Sequence, residues 1–347
     1  MQTSPLGRTG TSVSRYCLGS MTWGGPTPMR EAHQQIDMAL DHAITFLDTA
    51  EVFPVAPVRA ETVGRTERII GLWFERNGRR GEVTLATKQA GRGLGMVRGE
   101  AAITPATIRD ALEGCLRRLR TDYIDLYQFH WPNRGAYHNR RNWDYDPAGQ
   151  SAAAVRQNMA DCLGALQDEV RRGTIRHFGL THESAWGMAQ WLALADAGAG
   201  PRPVTVQNEY SLLCRAFDTD LAELAVNEDL GLLAFAPLAW GLLTGKYRDG
   251  PLPAGARTAV VPTLAGRLTD RARSAADAYV RLAERAGLDP IGMALAWVAG
   301  RPFTTSVVFG ATTSEQLAHI LAQTDLTLTP DVRTAIDALH RDHPMPF

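Results

Sequence analysis

One feature limits what this chain can fold into more than any other. From Arg15 onward, short runs of β-forming residues alternate with longer amphipathic stretches. Eight such runs stand out: Arg15–Gly19, Thr45–Thr49, Glu82–Thr87, Tyr123–Phe129, Ile175–Leu180, Val204–Gln207, Leu232–Ala236 and Ser306–Phe309. Between them apolar residues repeat at helical spacing, as in Thr104–Arg120. There Thr104 is a fit N-cap, Pro105 suits the first helical position, and Ile108, Leu112, Cys115, Leu116 and Leu119 share one face. The same spacing predicts helices over Arg30–His42, Glu67–Asn77, Val155–Arg172, Ser184–Ala197, Phe217–Asn227, Asp270–Ala286, Pro290–Val298 and Ser314–Ala322. Strands joined by helical crossovers run parallel, with helices covering the sheet. Eight such units in 347 residues match a closed (β/α)8 TIM barrel, which takes roughly 250 residues before insertions. Ser4–Tyr16, with its Gly7-Arg-Thr-Gly10 turn, adds an N-terminal β-hairpin, and Pro330–His340 a C-terminal helix. No linker divides the chain, so residues 1–347 read as a single domain.

Composition removes several functions. Lys plus Arg number 36 against 37 for Asp plus Glu, a formal net charge of −1, so the basic surplus of a nucleic-acid binder is missing. No apolar run approaches a membrane span, and Met1–Gly10 lacks the apolar segment of a secretion signal. Cys17, Cys115, Cys162 and Cys214 are scattered, without metal or redox spacing. A cytoplasmic protein with reduced thiols is expected, taking neither nucleic acid nor membrane as partner.

Active sites of closed barrels are built at the C-terminal ends of the strands. Three ionisable residues occupy such ends: Asp48 on the second strand, Lys88 on the third and His130 on the fourth. Each alone would pass for a cap or a surface residue; three at equivalent ends converge on one mouth. The two long loops, Trp131–Ser151 after the fourth strand and Leu238–Thr269 after the seventh, leave the same face and are expected to cover it. Other chemistries lack their motifs. Gly91-Arg-Gly-Leu-Gly-Met96 fails the dinucleotide fingerprint at its last position, and P-loop, H-E-x-x-H and G-x-S-x-G patterns are absent. The nine histidines are too dispersed to suggest a metal site.

The succession Leu18-Gly-Ser-Met-Thr-Trp-Gly24, Phe46-Leu-Asp-Thr-Ala-Glu51, Ala86-Thr-Lys88, Thr121 through Trp131, Val206-Gln-Asn208, Leu242-Leu-Thr-Gly-Lys-Tyr247 and Gly310 through Leu317 resembles the aldo-keto reductase superfamily. It is most similar to the bacterial Tas-like branch, which is related to potassium-channel β subunits. The resemblance spans nearly the whole chain in order. It implies NADP(H) lying across the barrel mouth, and an oxidoreductase that reduces an aldehyde or ketone to an alcohol, or the reverse. The implied catalytic positions are Asp48, Phe53, Lys88 and His130. Implied cofactor contacts are Trp23, Asp48, Thr181, His182, Gln207, Phe235, Ala236, Pro237, Leu238, Gly241, Leu243, Thr244, Gly245, Lys246, Arg257, Gly310, Ala311, Thr312 and Gln316. The implied substrate pocket holds Trp23, Phe53, His130 and Trp131.

Two positions depart from the family pattern. Where the family has its proton-donating Tyr, this chain reads Asp48-Thr-Ala-Glu-Val-Phe53. Three readings remain open: a deliberate Tyr-to-Phe change, another donor (His130, water, Tyr137 or Tyr145), or a nucleotide site kept for other work. Where the branch has Ser-Asn-Glu, this chain has Thr181-His182-Glu183, which exchanges an amide fork for an imidazole. The family's adenine-side Asn appears as Ile320. A nucleotide-binding regulatory subunit, and a lyase or isomerase on the same barrel, therefore stand as alternatives.

Overall fold

The computed structural model describes residues 1–55, 57–248 and 255–347. Residues 56 and 249–254, which belong to the Tas-like stretch and to the loop expected after the seventh strand, lie outside the described residues. Eight parallel strands close into a barrel in the order β10-β3-β4-β5-β6-β7-β8-β9. They are β3 (Tyr16–Gly19), β4 (Phe46–Asp48), β5 (Thr84–Gln89), β6 (Ile124–Phe129), β7 (Ile175–Thr181), β8 (Thr205–Glu209), β9 (Gly231–Phe235) and β10 (Thr304–Phe309). The hairpin strands β1 (Thr3–Pro5) and β2 (Ser12–Ser14) pair antiparallel, Ser4 opposite Val13. Helices α1 (Met29–Asp41) through α5 follow the first strands: α2 (Arg65–Asn77), α3 (Pro105–Leu119), α4 (Ala152–Arg172) and α5 (Ala185–Asp196). Then come α6 (Asp220–Asn227), α7 (Asp270–Arg285), α8 (Pro290–Ala299), α9 (Ser314–Leu321) and the closing α10 (Pro330–Asp342).

The strands' period of two explains the barrel's filling. Cys17, Phe46, Ala86, Leu126, Leu233 and Val308 point inward and form one buried cluster with Leu6 and Val13 of the hairpin. The hairpin thus plugs the N-terminal end, and one inward step higher the strands carry Asp48, Lys88, Gln128 and Gln207. The opposite faces of the strands pack the larger core beneath the helices. In α3 the Thr104 side chain accepts from the Thr107 amide, Pro105 opens the helix, and Ile108, Leu112, Cys115 and Leu119 are buried.

One expected element is broken. The predicted helix Phe217–Asn227 begins as a separate 3₁₀ turn, Ala216–Asp218, and α6 starts only at Asp220. Asp218 is the reason: it accepts from Tyr210, Arg215 and Arg301, which pin that turn to the neighbouring core. The two long loops are present as expected, but the aromatics of the first do not all pack. Trp143 is 71% exposed, while Tyr137 and Tyr145 lie edge to face against each other.

Candidate active site

The strand register sets the site. Asp48 pairs in register with Ala86, so Lys88 sits two positions further toward the C-terminal end, level with Gln128. His130 follows the last residue of β6. Lys88 Nζ donates to Asp48 Oδ2 at 2.6 Å and to the Thr49 carbonyl at 2.8 Å. The other oxygen of Asp48 accepts from Gln207 Nε2 at 2.9 Å, with Gln128 Nε2 further off at 3.4 Å. This ion pair is buried, its side chains 1% and 4% exposed, so either charge alone would be uncompensated in a dry interior.

Phe53 roofs the pair. Its ring centroid lies 5.2 Å from Lys88 Nζ, and it packs in a small cluster with Ala50, Val52, Ala90 and Val97. The turn that carries it closes through Phe53 N donating to the Ala50 carbonyl at 3.1 Å. His130 meets the Phe53 ring edge to face at 5.8 Å. Burial, then Lys88 and His182, hold His130 well below the ordinary imidazole range, so it is neutral. Its Nδ1 is buried without a partner. An orphaned buried N–H is rarer and costlier than a bare lone pair, which places the proton on Nε2.

His182 has a left-handed backbone (φ 56°), and its Nδ1 lies 2.8 Å from the His130 carbonyl. A carbonyl only accepts, so Nδ1 carries the hydrogen and Nε2 is left as an acceptor. Burial pushes His182 down to about 4, although the His130 carbonyl and Glu209 pull the other way.

A cavity of about 500 Å³ opens above these groups, within the range of small-molecule sites. Asp48, Phe53, His130, His182, Gln207 and Phe235 form its inner end. Ala236, Pro237, Leu238, Gly241, Thr244, Lys246 and Arg257 continue it along the loop after β9, and Gly310, Thr312 and Gln316 close it after β10. Lys88 lies beneath the surface, under Phe53. Burial depresses both Lys246 and Arg257, and Arg257 depresses Lys246 further. Among the described residues no carboxylate forms an ion pair with either, which suits them to phosphate charge. The N-terminus of α9 is partly taken: the Glu31 carboxylate accepts from the Ser314 amide, and Gln316 Oε1 accepts from the Thr312 amide at 3.1 Å.

Several residues named from sequence stand outside this cavity. Trp23 is fully buried, its indole N–H donating to Gln35 of α1 at 3.0 Å; Ser20, Met21 and Thr22 form the wall instead. Leu243 and Ala311 are core residues, and Gly245 (φ 81°) ends a 3₁₀ turn. Trp131 leans on His130 at 4.8 Å, but with Thr181 it lines a neighbouring cavity of about 450 Å³ outside the barrel. Neither Tyr137 nor Tyr145 lines the main cavity, and the Tyr145 hydroxyl donates to the Gly135 carbonyl at 3.1 Å. Among the described lining residues there is neither phenol nor thiol.

Other residues were not anticipated. Gln128 was legible, standing two positions before His130 on the same face of β6. Trp240, Arg267, Arg140 and His319 were not, because each reaches the cavity through a loop or helix whose path no local spacing encodes. Trp240 (φ 58°) is stacked between two guanidinium groups, Arg257 at 4.9 Å and Arg267 at 4.5 Å from its ring centroid. His319 lines the far end and donates from Nε2 to Asp289 at 2.7 Å.

With this geometry in place, comparison with known proteins decides the family. The aldo/keto reductase family model matches residues 15–341. The chain belongs to the aldo/keto reductase family. Its similarity to the protein tas of Escherichia coli is 39% identity over 350 residues, covering 100% of this chain and 99% of that one. The uncharacterized oxidoreductase YrpG of Bacillus subtilis is 33% identical over 339 residues, 96% and 94% of the two chains. A probable voltage-gated potassium channel subunit beta of Arabidopsis thaliana is 27% identical over 358 residues, 99% and 98% of the two chains. These relatives put the chain in the Tas-like branch, and the family makes it an oxidoreductase. No helix among the described residues is long and apolar enough to cross a membrane.

Proposed function

We propose that this aldo/keto reductase is an NADP(H)-dependent reductase of aldehydes or ketones, able to run in reverse, in which His130 rather than a tyrosine faces the carbonyl oxygen. The observation that carries the reading is the Asp48–Lys88 pair, joined by Gln207 and roofed by Phe53, at the inner end of a cavity lined further out by Lys246 and Arg257. Those two cations and the long apolar-walled cleft fit a phosphate-bearing dinucleotide. A bound nicotinamide would supply the hydride.

The chain's own residues divide the remaining work. With a nicotinamide bound, His182 Nε2 would be free to accept from its carboxamide amino group. Gln207, which donates one of its two amide hydrogens to Asp48, would offer its oxygen beside it. Phe235 gives a flat apolar face against His182, 5.2 Å between centroids. His130 donates from Nε2 to the carbonyl oxygen and so stabilises negative charge as it develops there. It is neutral, so the proton that completes the alcohol comes from water, and turnover is slow. General acid catalysis typically contributes roughly 10²–10⁴-fold. Phe53→Tyr should raise kcat by about that factor.

The test titrates NADPH by its fluorescence and then assays aldehyde reduction by this protein and by Phe53→Tyr. NADPH binding with a large rise in the variant supports the proposal. NADPH binding with no turnover in either protein would favour a second reading, a nucleotide-holding regulatory protein, which the lack of a phenol in the cavity wall recommends. No binding at all would defeat both.

A further inference from the structure

The loop after β6 brings one residue to the cavity that the hydride chemistry does not use. Arg140 lies on Trp131–Ser151 with a left-handed backbone, φ 59°. For a residue with a Cβ that conformation costs roughly 1–2 kcal/mol, so something at this position holds it. Arg140 lines the cavity, as His182 and Arg267 do. One Nη2 hydrogen goes to the Ala265 carbonyl at 3.1 Å, and the guanidinium stacks 5.1 Å from the Phe347 centroid. Its Nε finds no acceptor in the protein.

Its charge is poorly compensated. Glu209 is the nearest acid, at 3.6 Å from Nη1, beyond hydrogen-bonding reach. Both oxygens of Glu209 already accept from Arg267, each at 2.7 Å, so one carboxylate serves two guanidinium groups. Burial lowers the hold of Arg140 on its proton, and Glu209 does not restore it against Arg267. Among the described lining residues, the cations Arg140, Lys246, Arg257 and Arg267 are accompanied by one acid, Asp48, which Lys88 pairs, while Glu209 behind the wall pairs Arg267.

Origin in the chain separates Arg140 from the other cations. Lys246 and Arg257 come from the loop after β9, and Arg257 reaches across to Met21 Sδ at 3.7 Å on the β3 side. Arg140 comes instead from the loop that begins at Trp131 beside His130, and meets the loop after β9 at Ala265. A planar guanidinium with unused N–H groups matches a carboxylate's fork. We infer that Arg140 is a specificity residue which binds a carboxylate carried by the substrate, so that the preferred substrates are carbonyl acids. The inference rests on the reductase reading above, and it names the substrate class for that same site.

The test uses two probes of nearly equal shape, 4-carboxybenzaldehyde and its neutral methyl ester. Their binding to the NADP⁺-loaded protein is measured by isothermal titration, and NADPH affinity is measured separately by fluorescence. A hydrogen-bonded ion pair should favour the acid by about tenfold or more. Arg140→Met should erase that preference, Arg140→Lys should restore part of it, and NADPH affinity should stay within about twofold in both. Thermal melting checks that the variants fold, which Arg267 favours by keeping Glu209 paired. Equal binding of the two probes, or an unaltered preference in Arg140→Met, would overturn the inference while leaving the reductase reading intact. Weakened NADPH binding in Arg140→Met would also overturn it, by assigning the guanidinium to the nucleotide. Failure of the intact protein to bind NADPH would instead strike the reading beneath it.

Discussion

Removing the ammonium beneath Phe53 should cost more than removing both charges of its ion pair. At 2.6 Å and an effective dielectric of about 20, the attraction between Lys88 and Asp48 is on the order of 6 kcal/mol. Much of that is offset by taking two ions out of water, so the net worth of the pair is small. Lys88→Met leaves Asp48 with amide donors alone, Gln207 at 2.9 Å and Gln128 at 3.4 Å. Asp48→Asn leaves the ammonium with the Thr49 carbonyl as its remaining short contact at 2.8 Å. Each single change should therefore cost about 3–5 kcal/mol, the typical penalty for a stranded buried charge. In the double variant neither charge remains, the amide introduced by Asp48→Asn can still accept from Gln207, and the methionine fills most of the lysine's volume. That protein should lose only about 1–2 kcal/mol, so the coupling within the cycle would be at least about 4 kcal/mol in favour of the pair. Urea unfolding of the four proteins, fitted with a common m-value, measures it. Additive single costs would show that the pair is not coupled, and the account of a dry, charge-balanced barrel mouth would fail.

Acid should loosen the fold before the carboxylates titrate. His130 is held well below its ordinary value, and His138 and His182 are pushed down to about 4, in each case mainly by burial. The unfolded chain takes up those protons near pH 6.5 while the folded chain still refuses them, so stability rises with pH across that window and falls from about 6.5 toward 4. Urea midpoints measured through that range should decline, and His182→Asn should flatten the slope; an unchanged slope would contradict the burial argument. Trp240→Ala should speed NADPH release several-fold in stopped-flow fluorescence, because two cation–π contacts worth roughly 0.5–2 kcal/mol each hold the loop after β9 in place. Glu31→Gln should tighten NADPH binding by removing a negative charge from the first amide of α9, where it competes with a phosphate. A titration showing no change would put the nucleotide phosphates elsewhere in the cavity.

What the sequence revealed, and what it hid, divide along a physical line. Barrel strands are written in short runs, and residues at their ends share a mouth whatever loops intervene, so Asp48, Lys88 and His130 could be placed together across 83 residues of chain. Gln207 came from the family resemblance instead, and a period of two would have reached Gln128. Reading from sequence failed where a side chain's direction depends on packing rather than on strand order. Trp23 directly follows three members of the cavity wall, Ser20, Met21 and Thr22, yet turns inward to bond Gln35, because the chain folds back there through Trp23 N donating to the Ser20 carbonyl at 3.0 Å. The loop cations failed differently. Arg140 and Arg267 are 127 positions apart and meet at Glu209, a junction that neither loop's local sequence specifies. Nor could sequence say how the phenyl ring at position 53 packs. In the folded barrel Phe53 sits over Lys88 and covers it from the cavity, so the lysine's contacts are Asp48, the Thr49 carbonyl and that roof. On the reductase reading proposed above, the task of meeting the substrate oxygen falls to His130, whose neutral imidazole can polarise a carbonyl but holds no proton acidic enough to finish the reaction alone.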